Sequence, residues 1–191
     1  MEHGLFEILQ GNNITNGRVI DAIGTAQRLW IHGTEPAFTI IPNFLITGIM
    51  AMLVGLMVII WSAAFIDKKH GALVLLCLSI IMFLVGGGFA PPTFALLAIV
   101  VAIGINKPFL WLRTHISNRL IEVLAKLRKF AFIPFIVFAS FAIVVAIFGY
   151  PLLWFFSADV TLNILSTLGH ITFFGLGPIV IFTSLAYDIQ N

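Results

Sequence analysis

Residues 36–66 read PAFTIIPNFLITGIMAMLVGLMVIIWSAAFI and contain no Asp, Glu, Lys or Arg. An apolar helix of about 20 residues is long enough to cross the ~30 Å hydrocarbon layer of a bilayer. Proline is favoured in the first turn of a helix, so Pro42 indicates that this helix begins close to it. The stretch therefore predicts a first transmembrane span over 43–66.

The whole chain has the composition of a membrane protein. Of its 191 residues, 60% are hydrophobic and 9% are charged, and the mean hydropathy is +1.10. An ordinary soluble domain is about one quarter charged, so this chain has too few charged side chains to cover a water-exposed surface. A formal charge of +2 provides no broad basic face, which argues against nucleic-acid binding. We expect an all-α fold, a polytopic bundle of transmembrane helices.

Two charge-free stretches nearer the C-terminus, 130–158 and 160–187, each fit one helix. They predict spans over 130–156 and 161–187. A longer charge-free stretch, 72–106, has a different character and is interrupted.

The interruption is the sequence GGGFAPP at residues 86–92. Glycine adds backbone freedom and a residue before proline is pushed towards extended geometry, so a helix does not continue through this sequence. We predict a broken helical hairpin over 72–105, with arms over 70–86 and 91–106. Because each arm is short, a re-entrant hairpin is the alternative to two full spans. The structural turn is assigned to Gly86, Gly87, Gly88, Phe89, Pro91 and Pro92.

The basic residues set the orientation. Lys68 and Lys69 follow the first span, and six more basic residues lie between the third and fourth spans, so these connections hold eight of the ten. By the positive-inside rule both connections face the cytoplasm. The prediction is five spans, with the N-terminus outside and the C-terminus inside. A re-entrant hairpin would leave this orientation unchanged.

A cytoplasmic amphipathic helix is predicted over about 109–129, within the connecting segment 107–129. Its apolar residues recur at steps of three and four, and its basic residues lie largely off that line. Glu122 and Lys126 have the spacing of an ion pair on one helix face. The helix is expected to lie on the membrane and to contact anionic lipid headgroups. The predicted contacts are Arg113, Arg119, Lys126, Arg128 and Lys129.

The first 36 residues are predicted to lie at the outer surface as an interfacial segment. A short helix is expected around Leu5–Leu9, and a weaker one from Val19 to Trp30. Glu2, His3 and Glu7 stand where a cleavable signal peptide would carry basic residues, so we expect none.

The candidate polar pocket consists of His32, Glu35, Asn163 and His170. His170 lies inside a predicted span, and ionisable residues there are costly and are often functional. A hydrogen bond between helices is the structural alternative for it. His32 and Glu35 have the spacing of an acid–base pair, although a turn before the first span explains them equally well. His32, Glu35 and Asn163 map to the outer third of the membrane together with the glycine turn, and His170 lies about two turns below Asn163.

The last span and the start of its helix carry two further expectations. Pro178 predicts a kink about one turn earlier, near Phe174, and Asp159 suits the helix N-cap. A transmembrane haem needs two facing histidines and only His170 qualifies, so no cofactor is predicted. No metal is predicted either.

The sequence from His70 through the glycine–proline turn resembles a pattern in small, uncharacterised integral membrane proteins of prokaryotes. The resemblance covers about residues 67–105 and rests on His70-Gly71 opening a leucine-rich span that GGGFAPP follows. It implies the inner (plasma) membrane of a prokaryote. It implies no activity, because those proteins have none assigned.

Two functions are consistent with these features. The first is a non-enzymatic membrane subunit or permease-like protein with an outward-facing pocket near His170 and the glycine turn. Five spans without an inverted repeat make an incomplete transporter, so a homo-oligomer or a larger membrane complex would be required. The alternative is a membrane-embedded enzyme acting on a lipid or lipid-linked substrate, with His170, His32 and Glu35 as acid–base groups.

Overall fold

The computed structural model describes residues 1–89, 95–96, 98–99 and 115–190. The chain divides into two compact units, Met1–Ala102 and Ile103–Asn191, which are described separately. Helices dominate both units.

The first unit contains three helices and a small two-stranded sheet within its described residues. In chain order these are α1 (Glu2–Leu9), β1 (Val19–Asp21), β2 (Pro36–Phe38), α2 (Phe44–Ala64) and α3 (Gly71–Leu84). The strands are antiparallel, and Ile20 lies opposite Ala37. These two side chains are buried together with Ala22, and Phe44 at the start of α2 packs against them.

Helix α2 confirms the first predicted helix. It begins after Asn43, whose side chain accepts a hydrogen bond from the amide of Ile46, and this satisfies one of the free amides of the first turn. Its 21 residues span about 31 Å, which matches the hydrocarbon thickness.

Helix α3 ends at the predicted glycine turn. Its 14 residues reach only about 21 Å, so it is shorter than a full span. After Val85 the chain is tied to the segment around β2, because the amide of Gly86 donates to the carbonyl of Phe38 and the amide of Ile40 donates to the carbonyl of Leu84. Most of the predicted second arm, 91–106, lies outside the described residues, as do Pro91 and Pro92.

The second unit is helical in its described residues. It contains α4 (Asn118–Phe148), a 3-10 turn (Leu152–Trp154), α5 (Ala158–His170), a π-helical segment (Ile171–Leu176) and α6 (Gly177–Gln190). Helices α4 and α6 pack together, and Ile121, Ala125 and Ala186 form a buried cluster. The π-helical segment lies where Pro178 predicts a disturbance, and its hydrogen bonds shift register just before the proline.

Three helical stretches of the described chain are long and apolar enough to cross a membrane: Phe44–Ala64, Asn118–Phe148 and the continuous run Ala158–Gln190. The chain is therefore a mostly helical protein with three candidate membrane spans. Five spans and the orientation remain predictions.

The described part of the amphipathic segment from residue 118 does not form a helix separate from the apolar stretch that follows it. Residues 118–129 are the first turns of α4 and continue without a break into the apolar part. The chain has no glycine or proline from 118 to 133, so nothing ends the helix at the predicted boundary between 129 and 130. The helix starts where the Ser117 side chain caps it. Residues 107–114 lie outside the described residues.

Two predictions about caps and the outer segment were wrong. The weak helix expected from Val19 is a strand, because β-branched Val19 and Ile20 pair with the segment that Pro36 begins. Ser157, not Asp159, caps α5, and Asp159 lies in its first turn. The short helix expected near Leu5 does form as α1, and it packs along α2.

Candidate functional site: a buried carboxyl beside the glycine turn

Helix α1 is inside-out compared with a helix on the surface of a soluble protein. Leu5 and Leu9 are 48% and 54% exposed, whereas His3 is 7% exposed and Glu7 is fully buried. A helix in water buries its apolar stripe and exposes its polar one. The opposite arrangement is favourable when the surroundings are lipid, because the polar groups then avoid the lipid by facing the protein.

A pair of glycines allows α1 to lie directly on α2. A Cβ atom on Gly4 would lie 2.7 Å from the carbonyl oxygen of Gly48, and a Cβ atom on Gly48 would lie 2.6 Å from the carbonyl oxygen of Gly4. Larger residues at either position would force the two backbones apart. This close approach carries the polar face of α1 into the interior of the unit.

The carboxyl group of Glu7 rests against the backbone of Gly86. A Cβ atom on Gly86 would lie 2.6 Å and 2.7 Å from the two carboxyl oxygens, and Gly86 has a φ of +92° that disfavours other residues. Neither oxygen has a hydrogen-bond partner within the described part of the chain. Burial raises the pKa of Glu7 from its ordinary value of 4.5 to about 8. At neutral pH this side chain is therefore mainly a neutral acid.

The ring of His3 lies against Gly88 in the same way that the carboxyl group of Glu7 lies against Gly86. A Cβ atom on Gly88, where φ is +85°, would overlap the imidazole. The Nε2 atom lies 3.1 Å from Oε2 of Glu35, while Nδ1 is buried without a hydrogen-bond partner among the described residues. The outer two glycines of the turn thus each accommodate one ionisable side chain of α1.

Hydrogen bonds hold the glycine turn against α2. The hydroxyl of Thr47 donates to the carbonyl of Val85 at 2.8 Å, and the hydroxyls of Thr39 and Thr47 lie 2.6 Å apart. Both threonines are buried, and Thr39 also pairs with Val85 in a short β-bridge. The position of the turn relative to α2 is therefore fixed by buried polar contacts.

The other end of α1 is anchored by Gln10. Its side-chain amide donates to the carbonyls of Asp21 and Ala22 at 3.0 Å and 2.9 Å. Asp21 also forms an ion pair with Arg28, at 2.5 Å between Oδ2 and Nη2. His3, Glu7 and Gln10 are spaced so that all three lie on the inward face of the chain from residue 3 to residue 10.

An apolar cavity of about 380 Å³ lies at the Met1 end of α1, between α2 and α3. Gly55 and Met82 contribute to its walls. The hydroxyls of Ser62 and Ser79 also line it, but each donates to a carbonyl one turn earlier in its own helix. The cavity is therefore suited to apolar atoms such as those of an acyl chain.

The four residues of the predicted pocket are divided between the two units. Glu35 lies in the first unit and pairs with His3, and His32 packs edge-on against Trp30 at 5.4 Å. Asn163 and His170 lie in the second unit and are exposed there. The His170 ring donates through Nδ1 to the carbonyl of Ser166 in the preceding turn, at 2.6 Å. The pocket that would join all four residues stays a prediction.

The predicted lipid contacts lie on the first turns of α4 and are exposed, apart from Arg113, which is outside the described residues. Lys126 forms the expected ion pair with Glu122, at 2.6 Å. The guanidinium of Arg128 lies 4.4 Å from the ring centre of Tyr187.

Sequence reasoning missed His3 and Glu7 as site residues. It considered them only as replacements for the basic residues of a signal peptide. The available signal was their spacing, since residues 3, 7 and 10 place three polar groups on one face of a helix whose other residues are largely apolar.

The chemistry open to this cluster is the handling of protons or of a polar solute. Among the described residues, no group of three His, Cys, Asp or Glu side chains is arranged to hold a metal ion. Comparisons with protein-family models, with curated proteins and with solved structures give no match.

Proposed function

We propose that this chain is a non-enzymatic, permease-like membrane protein or membrane subunit, whose polar site is formed by α1 and the glycine turn. The observation that carries the proposal is the inside-out arrangement of α1, with Glu7 buried and Leu5 exposed. Burying an ionisable group among membrane helices is costly, and such groups commonly mark a path for a solute or an ion.

The end of α3 at the glycine turn supports the same function. Discontinuous helices beside polar groups are a recurring device of transporters, because free backbone groups at the break can contact a solute. Here α3 ends at Leu84, and Gly86 in the following turn lies directly against Glu7. The proposed setting is a prokaryotic inner membrane, with five spans and the basic segments towards the cytoplasm. The proposed partners are anionic lipid headgroups and further copies or subunits that complete the transport path.

Thiol labelling on two faces of one helix tests this proposal. In a Cys77→Ala background, which removes the free cysteine, we would prepare His3→Cys and Leu5→Cys in lipid vesicles. A positively charged methanethiosulfonate should modify His3→Cys, because the polar face lines a hydrated interior. Leu5→Cys should react much more slowly, because lipid around it excludes a charged reagent. Mass spectrometry of the intact protein measures the modified fraction.

The outcome separates three arrangements of the chain. Faster modification of Leu5→Cys would place α1 in water and would remove the proposal. Failure of both variants to react would show a dry interior, which is a structural role. If His3→Cys reacts faster, as expected, a second experiment follows. Rapid addition of amino acids, sugars and organic ions to reconstituted vesicles should give currents, and modification of His3→Cys should block them.

A second candidate function is favoured by the pair of His3 and Glu35. A carboxylate that orients an imidazole is a common arrangement of an acid–base catalyst, and the nearby apolar cavity has room for part of a lipid chain. An enzyme of this kind would convert a lipid in vesicles of phosphatidylethanolamine and phosphatidylglycerol. Mass spectrometry would then detect a lipid product with the unmodified chain and none with His3→Gln.

A further inference from the structure

Three ionisable groups in the first unit form a gradient from exposed to buried. The Glu35 side chain is 46% exposed, the His3 side chain is 9% exposed, and Glu7 is fully buried. Glu35 and His3 are in contact, and His3 and Glu7 lie one helical turn apart, which places their Cβ atoms about 6 Å apart. Nδ1 of His3 and both carboxyl oxygens of Glu7 are buried and without hydrogen bonds within the described chain.

We propose that Glu7 is a proton-binding site that exchanges its proton with water through His3 and Glu35. The inference deepens the proposed function, since it names the proton as the ion that the permease-like site binds. Glu7 is the binding residue, whereas Glu35 and His3 transfer the proton.

The transfer balances without any other reactant. A proton from water first converts the Glu35 carboxylate to the acid. Glu35 then gives this proton to Nε2 of His3 as Nδ1 releases its own proton to the carboxylate of Glu7. The products are a Glu35 carboxylate, a neutral imidazole protonated at Nε2, and the Glu7 acid. The step from Nδ1 to Glu7 proceeds through one water molecule or a small side-chain rotation, because the two groups share one face of the turn.

Within the part of the chain that the structure describes, few other charges face Glu7. On α1 these are Glu2, His3 and the amino group of Met1, of which the amino group acts on Glu7 directly. From the segment before β2 the charged group is Glu35. Helix α2 carries no ionisable residue, and neither does the sequence from Val85 to Phe89. Among the described residues no lysine or arginine side chain pairs with Glu7, so protonation neutralises its carboxyl group, in agreement with its raised pKa.

The geometry favours a proton over a metal cation. The Glu7 carboxyl lies flat against Gly86, with less than a side-chain width between them. The described residues also bring no third acidic, histidine or cysteine ligand to the site. A metal ion would require four to six ligands, whereas a proton requires one carboxyl group.

Infrared spectroscopy of the protein in lipid vesicles tests the inference. A protonated carboxyl gives a C=O band, and its shift in D₂O reports how fast the proton exchanges. We expect a band at neutral pH that Glu7→Gln removes and Glu2→Gln retains. We expect His3→Gln to slow exchange of that band by about tenfold or more, Glu35→Gln to slow it less, and Glu2→Gln to leave it unchanged.

Two results would overturn the inference. One is a neutral-pH band that persists in Glu7→Gln. The other is an exchange rate that is equal in the unmodified chain, Glu35→Gln and His3→Gln. If His3→Gln does not fold, Glu35→Gln still tests the exchange pathway. About half of the Glu35 side chain is already exposed, so this substitution should not disturb folding. The labelling of His3→Cys tests the permease-like function separately. If that experiment shows a dry interior, the permease-like function is removed, whereas the Glu7 band and its exchange remain.

Discussion

Helix α1 and the first turns of α4 both combine charged and apolar residues, yet they orient them in opposite ways. In α1 the ionisable Glu7 is buried and Leu5 is exposed. In α4 the Lys126 side chain is 72% exposed and Ile121 is buried. The amphipathic pattern alone is therefore not sufficient to assign the inward face. The inward face is the polar one where the surroundings are lipid, and the apolar one where they are water or headgroups.

The two regions also deal with charge differently. The charges of α4 remain solvated, and Lys126 pairs with Glu122 at the surface. The buried carboxyl of Glu7 has no hydrogen-bond partner among the described residues, so it lowers its free energy by holding a proton. The contrast predicts where pH and substitution act strongly and where they have no effect.

The largest expected effect is on the pH dependence of stability. Because the pKa of Glu7 rises from 4.5 to about 8 on folding, the folded chain binds a proton that the unfolded chain has lost in this range. The free energy of unfolding should therefore fall by about 1.4 kcal/mol per pH unit as pH rises, or about 5 kcal/mol across the window. It should be constant below this window and level off above it. Thermal unfolding in mild detergent between about pH 5 and about pH 8 measures it.

Glu7→Gln should flatten this profile, and the exposed Glu122→Gln on α4 should retain it. An identical slope in Glu7→Gln and the unmodified chain would contradict the assignment. It would also remove the contrast between the two helices.

The second prediction concerns the glycine turn. Gly88→Ala should lower the free energy of unfolding by about 2–4 kcal/mol, because the new methyl group overlaps His3 and φ is unfavourable. Gly169→Ala on α5 is the matched control, since no atom lies within 4 Å of its Cβ position. It should be neutral or slightly stabilising in the same unfolding measurement. Equal losses in the two variants would mean that His3 does not rest on the turn.

A smaller effect is expected at the anchored end of α1. Gln10→Ala removes two hydrogen bonds to carbonyls near β1 and should cost about 1–2 kcal/mol. Gln27→Ala removes one exposed contact of 3.4 Å to Leu9 and should cost less. Limited proteolysis of the first ten residues would report the loosening. More cleavage in Gln27→Ala than in Gln10→Ala would disagree with this anchoring.

The smallest effect is expected at the surface pair of α4. Lys126→Gln should leave the unfolding temperature unchanged, because exposed ion pairs contribute little. Binding to vesicles containing phosphatidylglycerol should weaken slightly, in a salt-dependent way, if Lys126 contacts headgroups. A clear drop in the unfolding temperature would show that this face is packed.

The sequence predicted what depends on local composition. The first span follows from a charge-free run with Pro42 before it, and the end of α3 follows from three successive glycines. Neither needs knowledge of distant residues. The pair of Glu122 and Lys126 also follows from local spacing, because one helix holds both residues.

The site was less predictable because it is formed by residues far apart in the chain. Glu7 becomes significant only when Gly4 meets Gly48 and when Gly86 lies beneath the carboxyl group. The sequence of an eight-residue helix near a terminus is equally consistent with a solvent-exposed end of the chain. Likewise, the residue that pairs with Glu35 is His3, which lies 32 positions away in the sequence. The sequence analysis favoured His32 as the partner because it lies close to Glu35 in the chain.

The contact between residues 7 and 86 also fixes an order of events during synthesis. The first turns of α1 leave the ribosome well before the glycine turn exists, so no interior awaits them. The contact between Glu7 and Gly86 can therefore form only after α3 has been synthesised. Formation of α1 and closure of the first unit around Glu7 are consequently two separate steps, and the second can be slowed without affecting the first.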